Sequence, residues 1–323
     1  MSDVKSGFVA FCLAFLALVP VSTQASGQQV KTQAPGFYRM MLGDFEVTAL
    51  SDGVVNVVPK QFLQNTTPST LAPLLDKAYE SDSIPTSVNA FLVNTGDALV
   101  LIDTGAGTVL GPSLGKLVAN IQAAGYRPDQ VDAVLITHMH PDHFGGLSSK
   151  GVRTFPNAVV YASKQDAEVW LNPEELSKAV DDNGKMGKYR FAAARDAFSP
   201  YAAEGKLKLF EAPSEPFKGF KAIGSRGHTL GHSFFLIESK QQRMMFWGDL
   251  VHVGAVQFDE PQVTMFSDME PSSAISTRLA GYTEAAKERY FVAAAHQPFP
   301  GMGHVRKASP GFAWVPVTYD IPK

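Results

Sequence analysis

Four potential metal ligands fall within six residues in the segment Thr137-His138-Met139-His140-Pro141-Asp142-His143. His138 and His140 are two apart, so in extended chain both side chains project to the same side. The turn at Pro141 can then redirect Asp142 and His143 toward a second ion. Packing four such groups together without a metal would leave buried polar atoms short of partners. Further donors stand at the ends of apolar runs: His228 in Gly227-His-Thr-Leu-Gly231-His232, Asp249 after Phe246-Trp-Gly248, and His296 after Val292-Ala-Ala-Ala295. Divalent ions held by such donors lower the pKa of a shared water, so a bridging hydroxide exists at neutral pH and attacks a carbonyl carbon or phosphorus. No serine or cysteine nucleophile is needed.

Rigid elements must carry these donors. Strand-like runs occur at Phe45 to Leu50, Val54 to Val58, Val88 to Val93 and Ala98 to Ile102, with β-branched residues and Gly, Asp or Asn at their boundaries. Asn94 to Asp97 reads as a hairpin turn. Pro112 to Ala124 has helical spacing, with Leu114, Leu117, Val118 and Ile121 on one face and Gly125 as a stop. Val131 to Thr137 is a nearly continuous apolar strand, which implies burial on both faces and leads straight into the histidine cluster. In the second half, Lys206 to Phe210, Phe220 to Ile223, Ser233 to Ile237 and Arg243 to Trp247 read as strands. Pro271 to Tyr290 reads as a helix, and Phe291 to Ala295 as a last buried strand. Each half has an apolar strand ending in an acidic signature, Leu101-Ile-Asp103-Thr-Gly105 and Phe246-Trp-Gly248-Asp249. That faint repeat fits an α/β fold of four layers, an αββα sandwich with helices outside two facing sheets. Residues 163–203, rich in charges and aromatics, read as a helical insertion near the site.

The net charge of −3 gives no electrostatic footprint for nucleic acid or an acidic membrane surface, so small, weakly charged substrates fit better. Lys5, the apolar run Phe8 to Val19 and the small residues of Thr23-Gln24-Ala25 read as a signal peptide over 1–25. That predicts a periplasmic or secreted protein with no membrane attachment after cleavage. The only cysteine, Cys12, lies inside that run, so the mature chain offers no thiolate ligand. Residues 26–40 read as a flexible leader and 41–323 as one hydrolase domain.

The motifs HxHxDH, GHTxGH, GD and AH, taken in that order, resemble the metallo-β-lactamase superfamily, and the likeness runs from the Leu-Ile-Asp-Thr-Gly strand to His296. The resemblance implies one divalent ion on His138, His140 and His228 and another on Asp142, His143 and His296. Asp249 and a hydroxide would bridge them. Zn²⁺ suits these nitrogen and oxygen donors, and Mn²⁺, Co²⁺ or Fe²⁺ could occupy the same cage. Histidine at 140, where a diiron flavoprotein would carry Glu, argues against that branch. Asp249 and the absence of a cysteine ligand argue against true β-lactamase activity. Ala294 to Gly301 (Ala-Ala-His-Gln-Pro-Phe-Pro-Gly), Gly303-His304-Val305, Phe246 to Leu250 and Trp170 resemble the methyl parathion hydrolase and lactonase-like branch. That branch implies a homodimer and small hydrophobic lactone, aryl ester or phosphotriester substrates.

Within that reading Asp142 is a ligand that can also orient the hydroxide or relay a proton. Asp103 either fixes the HxHxDH loop by hydrogen bonds or merely forms a turn. His232 serves the GHTxGH turn, and His304 has no assigned role. His252, three residues after Asp249, either faces the substrate or sits exposed on a loop; the resembled branch implies an apolar residue there. Phe62, Leu63, Trp170 and Phe191 either wall an apolar leaving-group site or pack in the core. The alternatives are a glyoxalase II-like thioester hydrolase, for which only Arg306 and Lys307 offer a basic patch near the C-terminus, and a non-catalytic metal- or ligand-binding protein, which a complete donor set disfavours.

Overall fold

Strand order in space follows strand order in the chain. The computed structural model describes residue 27, residues 29–180 and residues 187–320, and the architecture is that of the unit Pro35–Lys323. The first seven-stranded sheet holds β1 (Phe37–Leu42), β2 (Phe45–Val57), β3 (Ile84–Asn94), β4 (Leu99–Ile102), β5 (Ala133–Leu135), β6 (Val159–Ser163) and β7 (Leu207–Phe210), each beside its predecessor. The second holds β8 (Ser214–Phe217), β9 (Phe220–Gly224), β10 (Ser233–Ser239), β11 (Gln242–Phe246), β12 (Phe291–Ala293), β13 (Met302–Lys307) and β14 (Phe312–Pro316) in the same manner. In both sheets the first four strands pair antiparallel and the fourth pairs parallel with the fifth. The two acidic signatures follow those fourth strands, β4 and β11, so the faint repeat is a repeat of topology.

Alternation along the strands builds three apolar layers. Phe91, Val93, Val100, Ile102 and Leu135 face Phe235, Ile237, Met244 and Phe246 between the sheets. Leu92, Leu101 and Val134 point outward against α2 (Leu117–Ala123), α3 (Lys164–Trp170) and α5 (Lys188–Ala202). Met245 and Val292 point the other way, against Tyr282 and Ala285 of α6 (Pro271–Glu288). Two further helices are α1 (Pro68–Lys77) and α4 (Pro173–Lys178), and the described residues of the 163–203 insertion are largely helical. This is the four-layer metallo-β-lactamase fold.

Several boundaries differ from the sequence reading, including the strand read over Val131 to Thr137, which is Ala133–Leu135. Phe45 to Leu50 and Val54 to Val58 form the single strand β2, bulged between Ser51 and Gly53. Residues 112–116 are not helical. The N–H groups of Gly115 and Leu117 donate instead to the buried Asp52 carboxylate (3.0 Å each), a long-range bond that outweighs local helical spacing. β1 begins at Phe37, inside the stretch read as a leader. The signal segment and Cys12 lie outside the described residues. Among the described residues no helix is long and apolar enough to cross a membrane.

Candidate metal centre

All the donors sit at one end of the sandwich. His138, His140, Asp142 and His143 follow β5, Asp249 follows β11 and His296 follows β12, while His228 comes from the β9–β10 loop. Strands buried on both faces end there, so the loops they launch start from fixed points. Two groups of donor atoms result: His138, His140, His228 and Asp249, and Asp142, His143, His296 and Asp249, each with its ligand atoms within 4.8 Å of one another.

Asp249 divides its two oxygens between the groups. Oδ1 lies 2.9 Å from His143 Nε2 and 3.0 Å from His296 Nε2, and Oδ2 lies 3.1 Å from His228 Nε2 and 3.5 Å from His138 Nε2. His140 Nδ1 is 2.9 Å from His228 Nε2 and 3.0 Å from His138 Nε2. Yet His143 Nε2, His140 Nε2 and Asp249 Oδ1 are buried and make no aligned hydrogen bond. Lone pairs crowd together without satisfying one another, which is the arrangement a cation resolves. The donor set therefore fits two divalent ions, and all-nitrogen and oxygen ligation fits zinc among others.

A second set of groups orients the donors. Asp103 accepts from Thr137 N–H (2.8 Å), Thr137 Oγ1 (2.8 Å) and His143 Nδ1 (2.9 Å), so it fixes the HxHxDH loop and is more than a turn former. It does so from the left-handed region, at φ 59°, a strained conformation for a non-glycine residue. His228 Nδ1 donates to the buried Asp268 (2.7 Å), and His296 Nδ1 donates to Ser87 O (2.8 Å). Asp249 N–H donates to His232 Nε2 (3.0 Å), whose Nδ1 meets Ser225 Oγ (2.6 Å). His232 is thus a holder of Asp249, not a ligand. Gly248 at φ 52° lets this happen: a Cβ there would lie 2.8 Å from Thr137 Oγ1 and 2.9 Å from His232 Nε2. Asp166 joins two ligand loops, accepting from Met139 N–H (2.8 Å), Gly231 N–H (2.7 Å) and Thr229 Oγ1 (2.8 Å).

The electrostatics follow from crowding. Burial pushes His138 and His140 well below the usual imidazole range, reinforced for His138 by His143 and for His140 by Arg190, so their lone pairs stay available. Burial also takes His232 down to about 3, reinforced by His228. For Asp249 burial acts in the opposite sense, but His143, His296 and His138 outweigh it and keep the carboxylate ionised. Burial disfavours charge on His228 too, yet its hydrogen bonds to Asp249 and Asp268 raise it to about 9. Burial is likewise outweighed at Asp268, where His228 holds the carboxyl at about 2.

The donors floor a cavity of about 280 Å³ lined by Val55, Val57, Phe62, Leu110, Met265 and Phe266. Phe62 lines it, with its ring 5.2 Å from that of Phe266 between centroids. His252 lines it too, buried rather than exposed, with Nε2 2.9 Å from Asp249 Oδ2. Three expected wall residues do not line it. Leu63 packs instead in the core under α1, in one buried cluster with Leu71 and Leu75. Trp170 and Phe191 pack against each other at a tilt (5.0 Å between centroids) in the outer core, with Trp170 edge-on to His140 (5.6 Å). In their place the insertion presents Tyr189 and Arg190. His304 is remote from the cluster, its Nδ1 donating to Tyr290 O.

With fold and site in view, the comparisons agree. The model of the metallo-beta-lactamase superfamily matches residues 83–296, and this chain belongs to that superfamily, with two donor groups that could each hold a metal ion. A solved structure of hydrolase AbOPH, in the beta lactamase superfamily, is 38% identical, with a TM-score of 0.85 over 90% of this chain and 100% of its own. AidC, a dizinc quorum-quenching lactonase in complex with a product, is 26% identical, with a TM-score of 0.80 over 88% and 99%. Among curated relatives, the lactamase-like protein adaB of Aspergillus niger is 28% identical over 46% of this chain and 41% of its own length. The N-acyl homoserine lactonase of Bacillus thuringiensis is 25% identical over 47% and 58%. The chain thus spans about two fifths to three fifths of the length of these curated relatives.

Proposed function

We propose that this chain is a dinuclear hydrolase of lactones and aryl esters, with organophosphate triester hydrolysis of the methyl parathion type as a second or main activity. The observation that carries the reading is the pair of donor groups, sharing Asp249, on the floor of an apolar-walled cavity. His138, His140 and His228 would hold one ion, Asp142, His143 and His296 the other, and Asp249 both; when bound, they supply Lewis acidity and lower the pKa of water.

The chain's own groups act around that centre. Asp142 is the donor most open to the cavity, with its side chain 19% exposed, and it orients the attacking water and takes up its proton. Asp103, Asp268 and His232 keep ring and carboxylate directions fixed, so little reorganisation accompanies the reaction. Val55, Val57, Phe62, Met265 and Phe266 exclude water and receive the apolar part of the substrate. His252 lines the cavity beside Asp249, where it contacts the lactone or ester oxygen in this reading. Support for lactones comes from AidC, named a lactonase. Support for phosphotriesters comes from the Ala294 to Gly301 and Phe246 to Leu250 segments. Residues 1–25 direct export in this reading, which fractionation of the full-length protein tests.

The functional test is a panel offered to metal-replete protein: an aromatic lactone, an acyl-homoserine lactone, methyl parathion, an S-acyl glutathione and a cephalosporin. Turnover of the lactones or the phosphotriester is expected. Turnover of the thioester alone would favour a glyoxalase II-like enzyme, and no turnover at all would favour a binding protein.

A further inference from the structure

Two arginines are buried in the described structure near the site, and they are built differently. Arg278 is 1% exposed and satisfied: its guanidinium donates to Leu250 O (2.8 Å), Pro261 O (2.9 Å) and Val263 O (2.8 Å) and lies 3.8 Å from Asp268. Arg190 is 8% exposed, and among the described residues its guanidinium has neither an ion pair nor a hydrogen bond. Its guanidinium lies over the ring of Tyr189, 5.5 Å from Cζ to the centroid.

Its location makes that isolation more costly. Arg190 stands in the first turn of α5, where the helix dipole already places positive charge and where no acidic residue compensates. It lines the catalytic cavity beside His140, where bound divalent cations would repel it further. Asp142 and Asp249 line the same cavity, but both are committed to the histidines. A cation buried without a partner lowers stability, and a site can retain one when a ligand supplies the missing anion.

We propose that Arg190 is a specificity-determining residue, and that the preferred substrates carry a carboxylate remote from the bond that is cut. The guanidinium fork pairs with that carboxylate and fixes the substrate across the cavity. This rests on the hydrolase reading and narrows its substrate class.

The test compares two esters with the same scissile bond, the monophenyl ester of glutaric acid and its methyl-capped diester. In both, water adds at the acyl carbon, the bond to the phenyl oxygen breaks and phenol leaves with a proton. Loss of one charge-assisted pair predicts a KM roughly ten- to hundredfold lower for the free carboxylate in the wild type. Arg190→Met removes that preference, so the two esters are handled alike, and Arg190→Lys restores part of it. No preference in the wild type, or a preference that survives in Arg190→Met, overturns the proposal. Calorimetric binding of glutaranilic acid, the anilide analogue, separates the two readings. If neither ester is cut, the hydrolase reading fails. Anilide binding lost in Arg190→Met then still supports the carboxylate pairing, and equal or absent binding in both proteins overturns it. A purely structural arginine would lower the thermal midpoint when replaced, whereas this account predicts an equal or higher midpoint for Arg190→Met.

Discussion

Replacing Asp166 with alanine removes the carboxylate that accepts from three donors: Met139 N–H, Gly231 N–H and Thr229 Oγ1. Met139 lies between the ligands His138 and His140, and Thr229 and Gly231 flank the loop that carries His228. The carboxylate therefore ties together the two loops that must meet at one ion. Each hydrogen bond to a buried charge is worth about 1.5–3 kcal/mol, so the gross loss is roughly 4–9 kcal/mol. Part of that is offset, because burial pushes the pKa of Asp166 up and the folded protein no longer has to bury the charge. A net destabilisation of about 3–5 kcal/mol remains, or a fall of roughly 6–15 °C in thermal midpoint. Metal content should fall with stability, since the loops lose their tether. Differential scanning calorimetry and elemental analysis on the same preparation read both. An Asp166→Ala protein that keeps two ions and its midpoint would refute the idea that this residue organises the centre.

Three further outcomes are expected. Asp268→Asn frees the ring of His228 and should weaken metal binding about 10- to 100-fold in a chelator competition. Phe62→Ala should raise KM for apolar substrates with little loss of stability, whereas Leu63→Ala, in the core under α1, should cost about 2–4 kcal/mol in urea unfolding and leave KM alone. His252→Leu should shift the ratio of ester to phosphotriester hydrolysis, and an unchanged ratio would remove His252 from substrate recognition.

The donor side chains were legible in the sequence because residue type, spacing and position after apolar runs all point the same way. Their partners were not. Asp166 and Asp268 are single acidic residues in polar stretches, and nothing local distinguishes a buried acceptor from a solvated one. Arg190 was hidden for the same reason, inside a helix read only as charged and aromatic. The fold class followed from alternating apolar runs, but its boundaries yielded to long-range bonds. Phe45 to Leu50 and Val54 to Val58 read as two strands, yet Gly53 at φ 130° sits against Ser113 O and bulges one continuous strand. Of the four aromatic and apolar wall residues expected, only Phe62 faces the cavity. Trp170 is close to His140 but outside the cavity, with Phe191 packed against it, a distinction of side-chain direction that spacing alone does not carry.

The central claim is that Asp249 joins two donor groups into one two-metal centre. Elemental analysis of purified wild-type protein and of Asp249→Ala tests it most directly. The account predicts about two divalent ions per wild-type chain, and loss of both metal and hydrolysis together in the variant. Full metal occupancy and activity in Asp249→Ala would contradict it.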